Sequence, residues 1–264
     1  MRTFYLTLSF MGLLSCAAPA QGPRSAPGFP AYLRESFDYA DFTRFDAPAP
    51  PKDLIYQSNG YMALREEGFA AQRLIIPAPV GAYPTNTSDR LDALAIGAPA
   101  LAASSGRAYN VATSPGKREL TYYADRTVYR AAWGENVAVS LVVYPVYGTP
   151  AAVIRIRVDK ASGPIQVTLP IRGLDLQPMS TKVAGVLAYG SPRWPYRVLI
   201  STRPAAAGND GSLQWELRPG GEAAVIVALG GTEQAAAATL KKLMASRDLM
   251  EGATHRSWNR YLAS

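Results

Sequence analysis

Chemistry that runs through a metal ion or an activated nucleophile needs histidines, cysteines and acids in set positions. This chain has one histidine, His255, and one cysteine, Cys16, in 264 residues. No zinc set can be assembled from them, and no Gly-x-Ser-x-Gly elbow supplies a nucleophile. The glycine pairs Gly220-Gly221 and Gly230-Gly231 lack the spacing and the Lys-Ser or Lys-Thr ending of a phosphate loop. His255 therefore reads as a surface or packing residue, and no metal or other cofactor is expected. Glycoside hydrolysis asks for less, two carboxylates about 5 to 10 Å apart. Glu66, Glu67, Asp89, Asp92, Asp125, Asp175 and Glu216 are the candidates. Each is better explained as a charge at a strand end or turn, so no catalytic residue is assigned. The aromatic content is the remaining signal, with 15 Tyr and 4 Trp. Flat rings either stack on sugar faces or seal the edge of a β core. Tyr61, Tyr147, Trp194 and Tyr196 are the candidate carbohydrate-binding residues.

The elements that position these residues are short. Apolar runs are broken by Gly, Pro, Asn and Asp, which predicts an all-β fold, a large two-sheet antiparallel sandwich. In Val153-Ile154-Arg155-Ile156-Arg157-Val158 the apolar residues Ile154, Ile156 and Val158 alternate with Arg155 and Arg157, so one face of that strand is core. Ser58-Asn59-Gly60 lies between two apolar strands and predicts a tight Asn-Gly hairpin turn. Gly134-Glu135-Asn136 and Ala161-Ser162-Gly163-Pro164 predict further hairpins, and Lys182 to Tyr189 predicts a strand. After Gly230-Gly231 the pattern becomes helical. Thr232 caps a helix that starts at Glu233 and ends near Asp248, and a second begins around Gly252 with Trp258, Tyr261 and Leu262 on one face.

Met1-Arg2 followed by the apolar run Phe4 to Leu14 has the form of an export signal. Two exits are legible, cleavage after Ala18-Pro19-Ala20 to leave Gln21, or a lipoprotein box at Leu13-Leu14-Ser15-Cys16 with a membrane lipid anchor on Cys16. The chain thus divides into a signal peptide (1–20), a Pro/Ala-rich linker (21–52), a sandwich (53–230) and a helical linker (231–264). The location expected is periplasmic or extracellular. A net charge of +7, from 27 Lys and Arg against 20 Asp and Glu, is spread along strands without a phosphate-tracking run, and nucleic acid is not an expected partner.

Three stretches, Ser58 to Arg65, Tyr122 to Val158 and His255 to Leu262, together resemble the N-terminal β-sandwich of glycosidases and phosphorylases that carry an (α/α)6 barrel, with the family 65 type as the nearest pattern. Ser58-Asn59-Gly60-Tyr61-Met62-Ala63-Leu64-Arg65 is similar to a Gly-Asn-Gly-Tyr-Leu-Gly-x-Arg hairpin, with Ser58 and Ala63 in place of glycines. The run from Tyr122 to Val158 resembles long sheet strands of that sandwich, and His255 to Leu262 the linker into the first barrel helix. The resemblance implies a galactose-mutarotase-like supersandwich. It further implies a noncatalytic accessory role in carbohydrate processing, with catalytic carboxylates in a barrel domain that Trp258, Tyr261 and Leu262 would face. Two alternatives stay open, a free-standing sugar-binding protein, periplasmic or lipid-anchored, and a small sugar epimerase. The single histidine speaks against the epimerase.

Overall fold

The computed structural model describes residues 56–263 apart from 60, 78–89, 104, 113–115, 123–124 and 210. The expected signal peptide and linker, with Cys16, lie outside the described residues.

Two antiparallel sheets pack face to face. The first contains β1 (Tyr56–Ser58), β2 (Ala63–Gly68), β3 (Ala71–Pro77), β4 (Arg90–Ile96), β5 (Ala100–Ala103), β6 (Ala108–Asn110), β11 (Ile165–Gly173), β15 (Ala207–Asn209) and β16 (Ser212–Leu217). Its main order is β1-β2-β3-β4-β11-β16-β15, with β5 and β6 branching from β11. The second contains β7 (Lys117–Tyr122), β8 (Thr127–Trp133), β9 (Val137–Pro145), β10 (Ala151–Lys160), β12 (Gln177–Met179), β13 (Leu187–Gly190), β14 (Arg197–Arg203) and β17 (Glu222–Gly230), in the order β12-β13-β14-β17-β10-β9-β8-β7. Two helices follow, α1 (Glu233–Ala245) and α2 (Glu251–Ala263).

The main core lies between the sheets. Ile154, Ile156 and Val158 of β10 point into it beside Val139 and Leu141 of β9, as the alternation in sequence predicts. A second apolar layer covers the other face of the second sheet, where Ala236, Leu240 and Leu243 of α1 pack on Val153, Leu199 and Ile226. That double burial explains why β17 reads Ala223 to Leu229 without a polar residue. A strand covered on both faces has no solvent side to mark.

Four expectations change. Ala161 to Pro164 is not a hairpin. β10 pairs with β9 and β17 while β11 pairs with β4, β5 and β16, so this turn carries the chain from one sheet to the other. The strand expected from Lys182 begins only at Leu187. Val183 and Val186 pack instead into the layer under α1, and Thr181 and Lys182 donate hydrogen bonds to Glu233 at the helix start. α1 ends at Ala245, earlier than Asp248. Leu249 (φ 52°) and Met250 (φ 63°) then adopt left-handed conformations that reverse the chain into α2, an arrangement that opposes helix continuation. The Asn-Gly turn is also wider than a two-residue hairpin, because Ser58 pairs with Ala63 across a four-residue loop.

Candidate functional site

The registers align several loops at one end of the second sheet. Gly190, Arg197 and Gly230 stand in one row, Ala151 pairs with Ala228, and Thr127 pairs with Val143. The β13–β14 loop (191–196), the β9–β10 loop (146–150) and the turn before β8 therefore share this end. The β1–β2 loop joins them through Asn59, whose Nδ2 donates to the carbonyls of Val146 (2.9 Å), Thr149 (2.8 Å) and Ala151 (3.0 Å).

All four candidate sugar-contacting aromatics sit on these loops, although Tyr61 and Tyr196 are 135 positions apart in the chain. Their environments differ. Tyr61 and Tyr147 are 47% and 43% exposed. Trp194 and Tyr196 are half-buried against the main core, with the Arg193 guanidinium 4.9 Å from the Trp194 ring centre. Among the described residues, the turns at the opposite end (67–70, 134–136, 161–164, 204–206 and 218–221) contain no Tyr or Trp.

A polar cluster flanks the aromatic end. Asp125, 5% exposed, accepts hydrogen bonds from Arg126 (2.9 Å and 3.1 Å) and lies 3.0 Å from Nδ1 of His255 on α2. The neighbouring Thr254 Oγ1 accepts from the backbone N–H of Tyr147 at 3.3 Å. One turn earlier, Glu251 is ion-paired to Arg155, which also holds Glu222 at 2.8 Å. Burial opposes the charge of Arg155, but these carboxylates outweigh it and raise its pKa above the usual value. Beneath them the Tyr144 hydroxyl donates to the Leu249 carbonyl at 3.3 Å, and burial pushes its pKa up. The first turns of α2 are thus docked on the sandwich by polar contacts. Trp258, Tyr261 and Leu262 belong to the same helix, but their side chains lie outside the described residues.

The other candidate carboxylates are dispersed. Glu67, Asp92 and Asp175 meet on the outer face of the first sheet, where Arg73 binds both Glu67 and Asp92 (2.6 Å to the latter) and Asp175 accepts the Asp92 N–H at 2.8 Å. Burial works against Arg73, yet its hydrogen bonds to Asp92 and Glu67 raise its pKa. Glu66 is 4% exposed and is paired in register with Gln72, which donates to Tyr129 at 2.6 Å. Glu216 is exposed and accepts from Gln166 at 3.2 Å. Asp89 lies outside the described residues. Carboxylates engaged by arginines in a surface network tie neighbouring strands together. Sequence reasoning missed Asn59 as a cross-link and His255 as the partner of Asp125. Neither has a local signal, because the partners lie 87 to 92 and 130 positions away.

No protein-family model matches the chain, and no curated protein matches it by sequence. Among solved structures it is similar to a bacterial glucoamylase complexed with acarbose, at a TM-score of 0.50 and 8% identity over 83% of this chain and 40% of the other. The likeness is one of fold. The chain spans 40% of the length of that enzyme. The periplasmic domain of YidC from Thermotoga maritima matches at a TM-score of 0.41 and 14% identity, over 78% of this chain and 96% of that one. The longer YidC structure from the same organism matches at 0.36 and 14%, over 77% and 58%.

Proposed function

We propose that this chain is a noncatalytic sandwich domain of an exported carbohydrate-processing protein, a glycoside hydrolase or phosphorylase, and that its aromatic end is the surface turned toward sugar. The observation that carries this reading is the asymmetry of the two ends. Tyr61, Tyr147, Trp194 and Tyr196 gather at one, and the described turns of the other hold neither Tyr nor Trp. The rings near the other end, Phe69 in turn 67–70 and Trp133 beside turn 134–136, pack on the core, whereas Tyr61 and Tyr147 stand exposed, as a surface for sugar requires. The sandwich fold shared with a glucoamylase supports the carbohydrate context, and the export-like run from Phe4 to Leu14 supports a periplasmic or extracellular location. Helix α2 runs from its Arg155 contact to its Asp125 contact beside the aromatic end, and this reading assigns Trp258, Tyr261 and Leu262, later in the same helix, to contact with a barrel domain.

The test has two parts. The purified protein should release no sugar from aryl glycosides or α-linked disaccharides, yet should be retarded in native gels containing a soluble polysaccharide. Sugar release abolished by Glu66→Ala, Asp125→Ala or Asp175→Ala would overturn the noncatalytic assignment. Absence of any retardation would overturn the sugar-facing one.

A further inference from the structure

Asn59 does more than turn the chain. Its Oδ1 accepts the backbone N–H groups of Tyr61 (3.0 Å) and Met62 (3.1 Å), which shapes the β1–β2 loop. Its Nδ2 reaches the carbonyls of Val146, Thr149 and Ala151, which line the inside of the β9–β10 loop. That second loop is a compact turn closed by the Thr149 N–H on the Val146 carbonyl at 3.2 Å, with Tyr147 and Gly148 (φ 64°) at its corners. The positive φ at the second corner favours glycine and leaves Tyr147 as the outward residue of the turn. One amide side chain thus ties together the two loops that bear Tyr61 and Tyr147. These are the two most exposed of the large apolar side chains among the described residues.

We propose that Tyr61 and Tyr147 form a two-ring platform for pyranose faces and that Asn59 is its positioning residue. Trp194 and Tyr196 instead support the adjoining edge. This rests on the carbohydrate reading above. An exposed aromatic ring binds a sugar well only where its orientation is set in advance, since ordering two loops on binding would consume the stacking gain. The amide is suited to this because it donates on one side and accepts on the other. Aspartate in its place would keep the acceptor for Tyr61 and Met62 and turn a second acceptor toward three carbonyls.

The experiment compares the wild type with Tyr61→Ala, Tyr147→Ala, the double variant, Asn59→Asp and Asn59→Gln in native gels containing soluble starch, xylan or hydroxyethyl cellulose. Each tyrosine substitution should weaken retardation roughly 3- to 10-fold, the range for loss of one aromatic stacking contact. Asn59→Asp should weaken it as much as the double variant and add nothing in the double-variant background, while Asn59→Gln restores part. A lowered unfolding midpoint with unchanged retardation of the folded Asn59→Asp protein would make Asn59 merely structural and overturn the proposal. If no polysaccharide retards the wild type, the carbohydrate reading fails, and amide hydrogen exchange then judges the positioning role. In Asn59→Asp, or in Asn59→Gln if the former does not fold, exchange at Tyr61 and Met62 and around Thr149 to Ala151 should accelerate together while β16 stays unchanged. Acceleration confined to Tyr61 and Met62 would refute the coupling of the loops.

Discussion

Replacing Asp125 by asparagine tests whether the polar cluster holds α2 on the sandwich. The substitution keeps the shape and removes the charge, so its cost reports the electrostatics of the site rather than a cavity. The Asp125 side chain is 6% exposed and its partners Arg126 and His255 are 23% and 32% exposed, which places these contacts between surface pairs and buried ones. Charge-assisted hydrogen bonds in buried settings contribute about 1.5–3 kcal/mol each, and exposed ion pairs about 0–1 kcal/mol. Two such partners at intermediate exposure, with one carbonyl oxygen retained by asparagine, give an expected loss of about 2 kcal/mol. Urea unfolding of the wild type and Asp125→Asn measures the total, and hydrogen exchange locates it. Amides of α2 should lose protection while those of β10 and β17 do not. A double-mutant cycle with His255→Asn should return a coupling of about 1 kcal/mol. A change within about 0.5 kcal/mol, or a loss of stability with α2 protection intact, would refute the argument that this cluster docks the helix.

Leu243→Ala, at a fully buried position of α1, should cost about 3 kcal/mol in denaturant unfolding, because it opens the layer over the second sheet. Asp248 accepts hydrogen bonds from Ser246 and from the N–H groups of Met250 and Gly252, which together hold its pKa below the usual carboxylate value. Its stabilisation should therefore be present above the unfolded-state pKa and fade as pH falls through the lower folded value. Asp248→Asn should flatten the acid side of a plot of unfolding midpoint against pH. Trp258→Ala should change unfolding free energy by no more than about 0.5 kcal/mol if the ring serves a second domain, and a loss of about 3 kcal/mol would place it in the sandwich instead. Mass spectrometry of the exported protein should find Gln21 or an acylated Cys16 at the amino terminus, and an intact Met1 form in the cytoplasm would refute export.

By itself the sequence determined the fold class and the faces of individual strands. Alternation in Ile154-Arg155-Ile156-Arg157-Val158 predicts which side is core, and Thr232 followed by Glu233 predicts the start of α1, because strand pleat, helix pitch and capping act within a few residues. Pairing between sheets has no such local signal. Ala161-Ser162-Gly163-Pro164 has the residues of a hairpin and serves as a crossover, and only the competition among β9, β17 and β16 for partners decides that. The Val183 and Val186 segment has strand composition, yet an apolar layer under α1 claims it. The site follows the same division. Residue type marked Tyr61, Tyr147, Trp194 and Tyr196 as candidates, but the tertiary structure decided that they share one end, that only the first two stand well clear of the core, and that Asn59 and Asp125 meet partners far away in the chain. Hydrogen bonds and buried contacts act over a few ångströms of space irrespective of sequence separation, so the shared end of these loops becomes visible only when the registers of the sheets are set.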